Sequence, residues 1–381
     1  MSKKPHRSGT YIQQPTGYKA FIPNPLPLKP AITLDPELQI LLSAADRAIG
    51  RLDAGTELLP NPDLFVAMYV RREALYSSQI EGVTQASLDE MLEFEVRATQ
   101  RRRFPEIPEV FNYVDAMNYG LQRLESLPLS LRLIKEIHKE LLKDVRGGER
   151  EPGEFRRTQN WIGPQNCSLT EALYVPPPPE VTKEAMEHLE NYLHAEDTVP
   201  PLVKCALVHA QFESIHPFLD GNGRIGRLLI TFLLCWQDIL KKPLLYLSDY
   251  FKRHRDEYYT RLQQIRDQDD WEGWLRFFLT GVQSVAIDAT ETARNIQSLQ
   301  EEHRNLVGRQ FPGTATGLVL LDQLFRNPVT TAKKAAKIIG RSYPVANQLI
   351  ADLEELGLLR EITGGHRNRV YRYEPYSALF R

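Results

Sequence analysis

The chain has 381 residues, 42% of them hydrophobic, which is enough for two or three packed domains. Its 47 Lys and Arg against 49 Asp and Glu leave a formal charge of -2, so overall charge argues against a binder of bulk polyanion. Three cysteines, Cys167, Cys205 and Cys235, without CxxC spacing argue against a disulfide scaffold or a cysteine zinc site and fit a reducing cytoplasm.

Residues 1–35 are rich in proline (PNPLPLKP) and are predicted to run extended over the surface. The polar start, MSKKPHRSGTYIQQ, lacks the apolar core of a signal peptide, so a cytoplasmic location is expected. From 36 to about 149 the pattern is helical, with breaks near 59–62 and 104–108. Within 63–81, Leu64, Met68 and Leu75 share one stripe, and Gly82 falls where a helix end accepts positive φ. Residues 150–180 change character. Turn residues, β-prone pieces at 161–162 and 173–175 and a proline run predict a hairpin-like flap over about 153–175. Helices are predicted at 179–194, 201–215 and 223–236, then over 249–268 and, with some breaks, 271–300. The most apolar run, LLITFLLCW at 228–236, is too short to span a bilayer and reads as a buried helix, so no membrane association is expected.

The last seventy residues differ again. Residues 311–381 carry ten Lys and Arg against six Asp and Glu. Helices at 316–326, 331–339 and 344–356 precede two short strands, 358–362 and 370–373, around the turn TGGHRNR. Three helices and a ribbon predict a winged helix-turn-helix. In its third helix, Asn347 and Gln348 suit base edges, whereas Asp352, Glu354 and Glu355 oppose phosphate. His366, Arg367 and Arg369 of the wing are better phosphate contacts. DNA binding, dimerisation and target docking all stay open for this unit.

The stretch HPFLDGNGRIGR, 216–227, concentrates the chemistry. A helix ends before it and another begins near Gly223, so DGNG is a tight turn feeding a helix N-terminus, which carries free N–H groups and partial positive charge. Gly221 and Gly223 let the backbone approach an anion. Arg224 and Arg227, three apart, share a helix face and can clamp further phosphates. Asp220 is a lone carboxylate beside them, and one carboxylate with substrate phosphates is the usual way of holding Mg²⁺. His216 can accept a proton near neutral pH. Together they predict a phosphoryl- or nucleotidyl-transfer site. Taken singly, a histidine before proline is usually a surface residue, DG and NG are ordinary turns, and paired arginines are usually solvated.

HPFLDGNGRIGR resembles the signature of the Fic (filamentation induced by cAMP) family, HxFx(D/E)GNGRxxR, and HAQFESI before it and YYTRLQQI and WEGWLRFFL after it look similar too. The resemblance covers roughly 60–300 and is close to bacterial Fic proteins with a C-terminal winged helix. It implies AMPylation: AMP moves from ATP to a hydroxyl of a target protein, itself included, with release of pyrophosphate. It implies His216 as general base, Asp220 on Mg²⁺, and Asn222 with the Gly221–Gly223 backbone lining the anion hole. It implies Arg224 and Arg227 on the β- and γ-phosphates, with Phe218 anchoring the loop. Relatives with lysine in place of Gly223 phosphorylate instead, so glycine favours adenylyl transfer, while choline-phosphate and uridylyl transfer stay open. Upstream, SSQIEG at 77–82 resembles the family's inhibitory motif, (S/T)xxxE(G/N). By that resemblance Glu81 pairs with Arg227, with Ser77 and Gly82 completing the motif. The flap resembles the family's target-docking hairpin, with Arg156, Arg157, Trp161 and Ile162 as contacts, although a plain surface loop is the alternative. Tyr258 and Tyr259 pack either near adenine or in the core. His138, His188, His194 and His209 show no ligand spacing.

The expected fold is mainly α: an all-helical Fic core with a small β-hairpin flap and a C-terminal winged helix-turn-helix. The expected division is 1–110 for the arm and inhibitory helix, 111–300 for the catalytic domain and 311–381 for the winged helix. A homodimer is also expected. The alternative to an enzyme is a DNA-binding regulator whose Fic core senses nucleotide.

Overall fold

The computed structural model describes residues 6–57, 62–96, 105–145, 148–164, 167–313, 315–364 and 368–380. The protein is mainly helical. Helices α1 (Pro36–Glu57), α2 (Pro62–Ile80), α3 (Leu88–Val96), α4 (Ile107–Leu124) and α5 (Leu131–Leu141) come first, after a short β-hairpin. Then follow α6 (Pro179–His194), α7 (Pro201–Ile215), α8 (Asn222–Trp236), α9 (Ser248–Arg253), α10 (Arg255–Gln268) and α11 (Trp271–Gln310). The sequence explains many of the ends. Proline at the first position opens α6 and α7, where a missing N–H costs nothing. Ser130 caps α5 by accepting the Leu133 N–H, and Asp270 caps α11 by accepting the Gly273 N–H. Met68 and Leu75 of α2 are buried as the stripe predicted; the Leu64 side chain lies outside the described residues.

α7 and α8 form the centre. α7 is buried from Leu202 to Ile215, and α8 from Asn222 to Leu234. The apolar run 228–236 is therefore core, and no helix among the described residues is long and apolar enough to cross a membrane. Around them His209, Phe251, Tyr258, Trp274 and Phe277 pack ring on ring, with centroids 4.5–6.5 Å apart. The Trp274 Nε1–H donates to the Ala206 carbonyl at 3.0 Å, which fixes α11 against α7.

Three expectations are corrected. Residues 1–35 do not simply run over the surface: β1 (Gly9–Gln13) and β2 (Lys19–Pro23) pair antiparallel, with Tyr11 opposite Phe21. Ala20 and Phe21 are buried, the Phe21 N–H donates to the Val175 carbonyl, and Arg7 bridges Asp269 and Glu272. The helix expected over 249–268 breaks at His254 into α9 and α10. In contrast, α11 runs unbroken for 40 residues. Its Gly281 is not a break; a Cβ there would fall 2.6 Å from the Tyr250 ring, so glycine admits that ring.

In the C-terminal unit, α12 (Thr316–Arg326), α13 (Ala332–Ile339) and α14 (Tyr343–Glu355) form close to the expected positions. The expected ribbon strands, β4 (Leu359–Glu361) and β5 (Tyr371–Tyr373), are joined by an unforeseen β3 (Val329–Thr330) in the order β3-β5-β4. A last helix, α15 (Glu374–Ala378), follows. The unit packs on α2 and α3: the Phe380 ring meets Tyr69 at 5.5 Å, Arg372 pairs with Asp89 at 2.7 Å, and Asn327 donates to Glu95 at 3.2 Å.

Removing the indole that fills the centre leaves a large cavity and removes the bond that joins α11 to the Ala206 carbonyl of α7. Trp274→Ala is expected to lower unfolding free energy by about 3–5 kcal/mol, read as a fall in the denaturant midpoint.

Candidate active site

The site starts from the end of α7. Its last carbonyls lie in the interior, where each needs a donor. Arg266 donates to Glu213 O at 3.4 Å, and the Tyr174 hydroxyl donates to Ser214 O. Arg156 donates to Ile215 O at 3.5 Å and to His216 O at 3.0 Å. Capped in this way, the chain turns through His216 in the left-handed region (φ 50°, ψ 59°), an uncommon conformation for a residue with a side chain. The turn brings the half-buried imidazole back over the helix end. Burial, Arg156 and Arg266 lower its pKa to about 3, so the ring is neutral and able to accept a proton.

Residues 217–221 then lead into α8. The side chain of Asn222 does not line the anion hole as expected. Its Oδ1 accepts the Phe218 N–H at 2.8 Å and its Nδ2 donates to Phe218 O at 2.7 Å, so both polar atoms lock the loop. Gly221, at φ 76°, makes the turn into the helix. Asp220 lies at the rim: Oδ1 accepts the Gly221 N–H at 2.6 Å, and Oδ2 lies 3.5 Å from the half-exposed Arg150.

Arg224 and Arg227 project from the first turns of α8 and are buried to 1% and 2% exposure. Arg224 has loose ionic neighbours in Asp220 at 3.4 Å and Glu109 at 3.6 Å, and its Nε and Nη1 lack hydrogen-bond partners. Buried guanidinium N–H groups without acceptors at a helix N-terminus form a cradle for an anion. Arg227 is held by Ser77: Nε donates to its Oγ at 2.8 Å and Nη2 to its carbonyl at 3.0 Å. Ser77 thus grips the arginine itself. Glu81, one residue past α2, reaches the third nitrogen, with Oε1 at 2.9 Å from Nη1. Nη1 has no aligned hydrogen bond, so charge rather than direction holds this pair. Burial opposes the charge of Arg227, but Glu81, with Tyr258, Tyr259 and Glu213 adding to it, raises its pKa. Gly82 adopts φ 68° and closes the helix, as its position predicted.

The Glu81 carboxylate also lies on the backbone of the loop. A Cβ on Gly223 would fall 2.1 Å from Glu81 Oε1. The acid therefore sits over the first turn of α8.

The remaining expected contacts divide. Arg156 is buried, and burial lowers its pKa to about 10. Its donors are used on the carbonyls of His216, Ile215, Thr158 and Pro177, so it is an internal brace and not a docking contact. Arg157 and Trp161 are exposed, and Ile162 forms one antiparallel bridge with Tyr174. The flap has that single bridge and a 3-10 turn at Leu169–Glu171 in place of a full hairpin. Tyr258 is core: 1% exposed, its hydroxyl bonds His209 Nε2 at 2.9 Å, while His209 Nδ1 bonds Gly226 O. Tyr259 is half-buried, with Arg255 over its ring. Asn347, Gln348 and Arg369 are exposed on the C-terminal unit, away from this loop in the chain; His366 and Arg367 lie outside the described residues.

Sequence reasoning missed His138. Its ring stacks on Phe218 with centroids 3.7 Å apart and planes 6° apart. The Gly153 N–H donates to its Nδ1 at 2.8 Å, so Nε2 carries the hydrogen and donates to Asp220 O at 3.0 Å. Burial lowers its pKa to about 4 and keeps the ring neutral. The only sequence signal was its place on the buried stripe of α5 with Leu133, Ile134, Ile137 and Leu141.

The fold and site together define a helical protein with a loop-to-helix anion site closed by its own carboxylate. Residues 128–234 match the model described as Fic/DOC family, and residues 40–122 match that of the Fic/DOC family N-terminal region. The chain belongs to the Fic/DOC family. It is 31% identical over 206 residues to the protein adenylyltransferase Fic of Drosophila grimshawi, covering 53% of this chain and 39% of that one. The corresponding protein of Aedes aegypti is 31% identical over 207 residues, 53% and 38% of the two chains. The match thus spans about two-fifths of these curated relatives. A Fic family protein from Desulfovibrio desulfuricans superposes with a TM-score of 0.55 at 21% identity, over 90% of this chain and 97% of that one. Fic-1 from C. elegans does so at 0.51 and 21% identity, over 68% and 74%; these likenesses show the fold.

His138→Phe keeps an aromatic ring against Phe218 but strips partners from Gly153 N–H and Asp220 C=O. Unfolding free energy, measured in denaturant, is expected to fall by about 1–3 kcal/mol, the cost of leaving buried partners unsatisfied.

Proposed function

We propose that this protein is an adenylyltransferase that moves AMP from ATP onto a hydroxyl side chain of a target protein, itself included, and that Glu81 restrains it. The observation that carries this reading is the buried cradle at the start of α8, where Arg224 offers unpartnered donors and Arg227 is held by Ser77 and paired with Glu81. The naming of the curated relatives as protein adenylyltransferases supports the same chemistry.

In this mechanism the N–H groups opening α8, with Arg224 and Arg227, receive the phosphates of ATP. As the target oxygen bonds to the α-phosphorus, His216 takes its proton and pyrophosphate leaves with the electron pair of the broken P–O bond. The donor set fits Mg²⁺: one carboxylate, Asp220, lies at the rim of the loop with Oδ2 held, among the described residues, only by a loose ionic contact to Arg150, and one carboxylate together with substrate phosphates would hold the ion. When bound, that ion neutralises phosphate charge. The exposed Arg157 and Trp161 of the flap face a target segment, and the half-buried Tyr259 borders the nucleotide site. A cytoplasmic location, favoured by three unpaired cysteines, and self-association belong to the same proposal.

A second reading rests on the C-terminal unit as a winged helix. α13 exposes Lys333, Lys334 and Lys337, and α14 exposes Tyr343, Asn347 and Gln348 beside them. In this reading the face binds DNA, Arg369 supports it from the wing, and the core senses nucleotide. Filter binding at two salt concentrations tests it, because phosphate contacts weaken steeply with salt.

Two substitutions test the enzyme. Incubated with Mg²⁺ and ATP, the Glu81→Gly protein is expected to gain the mass of AMP at least ten times faster than wild type. Misalignment of about 1 Å costs roughly a hundredfold in rate, and removing the carboxylate frees the aligned position. His216→Ala is expected to bind ATP with unchanged affinity and to gain no AMP by mass spectrometry.

A further inference from the structure

We infer that Glu213 is a positioning residue for His216: it draws the imidazole Nδ1–H toward its carboxylate, turns Nε2 to the target hydroxyl, and supports the charge that the ring acquires. The inference rests on His216 acting as the base in the proposed transfer.

Glu213 lies three residues before His216, in a helix buried on every side. A carboxylate is costly there unless something answers it. Its residue is 6% exposed, and its Oε1 has no hydrogen-bond partner. Space is nonetheless provided for it. A Cβ on Gly226 would fall 2.3 Å from Oε1, so α8 is cut back where this oxygen lies. The left-handed turn at His216 folds the ring toward the same carboxylate, with Nδ1 at 3.9 Å from Oε2. Nδ1 has no aligned hydrogen-bond partner. The Glu213 carbonyl also faces the ring, at poorer geometry. Catalytic hydrogen bonds are often long before substrate arrives and tighten with it.

The surrounding charges make a carboxylate useful here. His216 is neutral but a poor base, because burial, Arg156 and Arg266 all resist a positive ring. Burial pushes Glu213 up to about 7, with Glu81 adding to the rise, while Arg227 and Arg266 oppose it. The phenols of Tyr174, Tyr258 and Tyr259 complete its titratable surroundings. At pH 7 about half of the molecules therefore carry the carboxylate, and the share grows as pH rises. In the transfer, the hydroxyl proton passes to Nε2 as the bond to the α-phosphorus forms. The proton on Nδ1 stays there and points at Glu213, so the ring is a stronger base by the attraction of the carboxylate.

The experiment compares Glu81→Gly with Glu81→Gly/Glu213→Gln in the full chain, by labelled AMP transfer. The expected result is a kcat about a hundredfold lower with KM for ATP within about twofold. The acid limb of the kcat profile should move to lower pH, because losing a negative charge weakens the hold of the ring on its proton. Adding Glu213→Gln to His216→Ala should change nothing further. A KM increase at unchanged kcat would overturn the inference and make Glu213 a counter-charge for Arg227. Equal kcat in both proteins would leave tautomer control to the Glu213 carbonyl and also overturn it. Nitrogen-15 spectra of histidine-labelled Glu81→Gly protein, in which Glu213 is intact, decide the matter if the glutamine variant does not fold: hydrogen on Nδ1 with a shift that moves as a carboxylate titrates near pH 7 supports the inference, while hydrogen on Nε2, or an Nδ1 signal that does not move with pH, sinks it. If Glu81→Gly itself transfers no AMP, the enzyme reading fails, and the spectra still report the tautomer.

Discussion

The buried end of α7 is the constraint on which the site depends. A helix that stops in the interior leaves carbonyls that water cannot reach, and here three distant segments supply the donors. Arg156 and Tyr174 come from the two sides of the flap, and Arg266 comes from α10. The positive charges of Arg156 and Arg266 also suit the negative end of the helix dipole. The consequence is geometric: the chain can take the left-handed step at His216, and the loop after it enters α8 with its N–H groups turned to one side. Asn222 and His138 then fix that loop from within and from α5. The flap base is therefore part of the catalytic loop's support, whatever its tip touches.

Helix α2 is bound just as firmly. Glu73, Ser77 and Glu81 recur every four residues, so they descend one face toward Arg227. Glu73 is buried and accepts hydrogen bonds from Tyr113 and from the Ser248 hydroxyl and N–H, which hold it although burial raises its pKa. The Tyr69 ring of α2 meets Phe380 of the C-terminal unit. Rotating the Glu81 side chain out of the cradle breaks one ion pair, whereas displacing α2 would break all of these contacts. The cheaper motion leaves Ser77 on Arg227, so the arginine stays oriented when the carboxylate departs.

Much of this was legible in the chain, for identifiable reasons. α6 and α7 begin and end where prolines and polarity said, because Pro179 and Pro201 fix first turns that tertiary packing does not shift. The glycine and arginine spacing of 216–227 announced an anion site because its chemistry is local in sequence. The N-terminal hairpin was hidden, since proline-rich flanks mask a strand whose partner atoms include Val175. The pattern over 271–300 reads as interrupted, yet α11 runs through, and its Gly281 gives room to the Tyr250 ring. Arg156 was assigned to a target because an arginine on a loop usually faces water; the acceptors that bury it lie sixty residues away. His138 was illegible for the same reason, its partners being Asp220 and Gly153.

The bare backbone at Gly223 carries a consequence for how such a protein changes over generations. The surface that receives the Glu81 carboxylate is the surface proposed to receive phosphate, and any side chain there would strike both. Arg227 is shared in the same way. Under the proposed function, substitutions in the loop therefore weaken restraint and substrate binding together. Independent variation is left to the far end of α2, where Glu81 stands alone past the helix. If Glu81 restrains transfer as proposed, selection can adjust that restraint there, one residue at a time, while the loop must serve both partners at once.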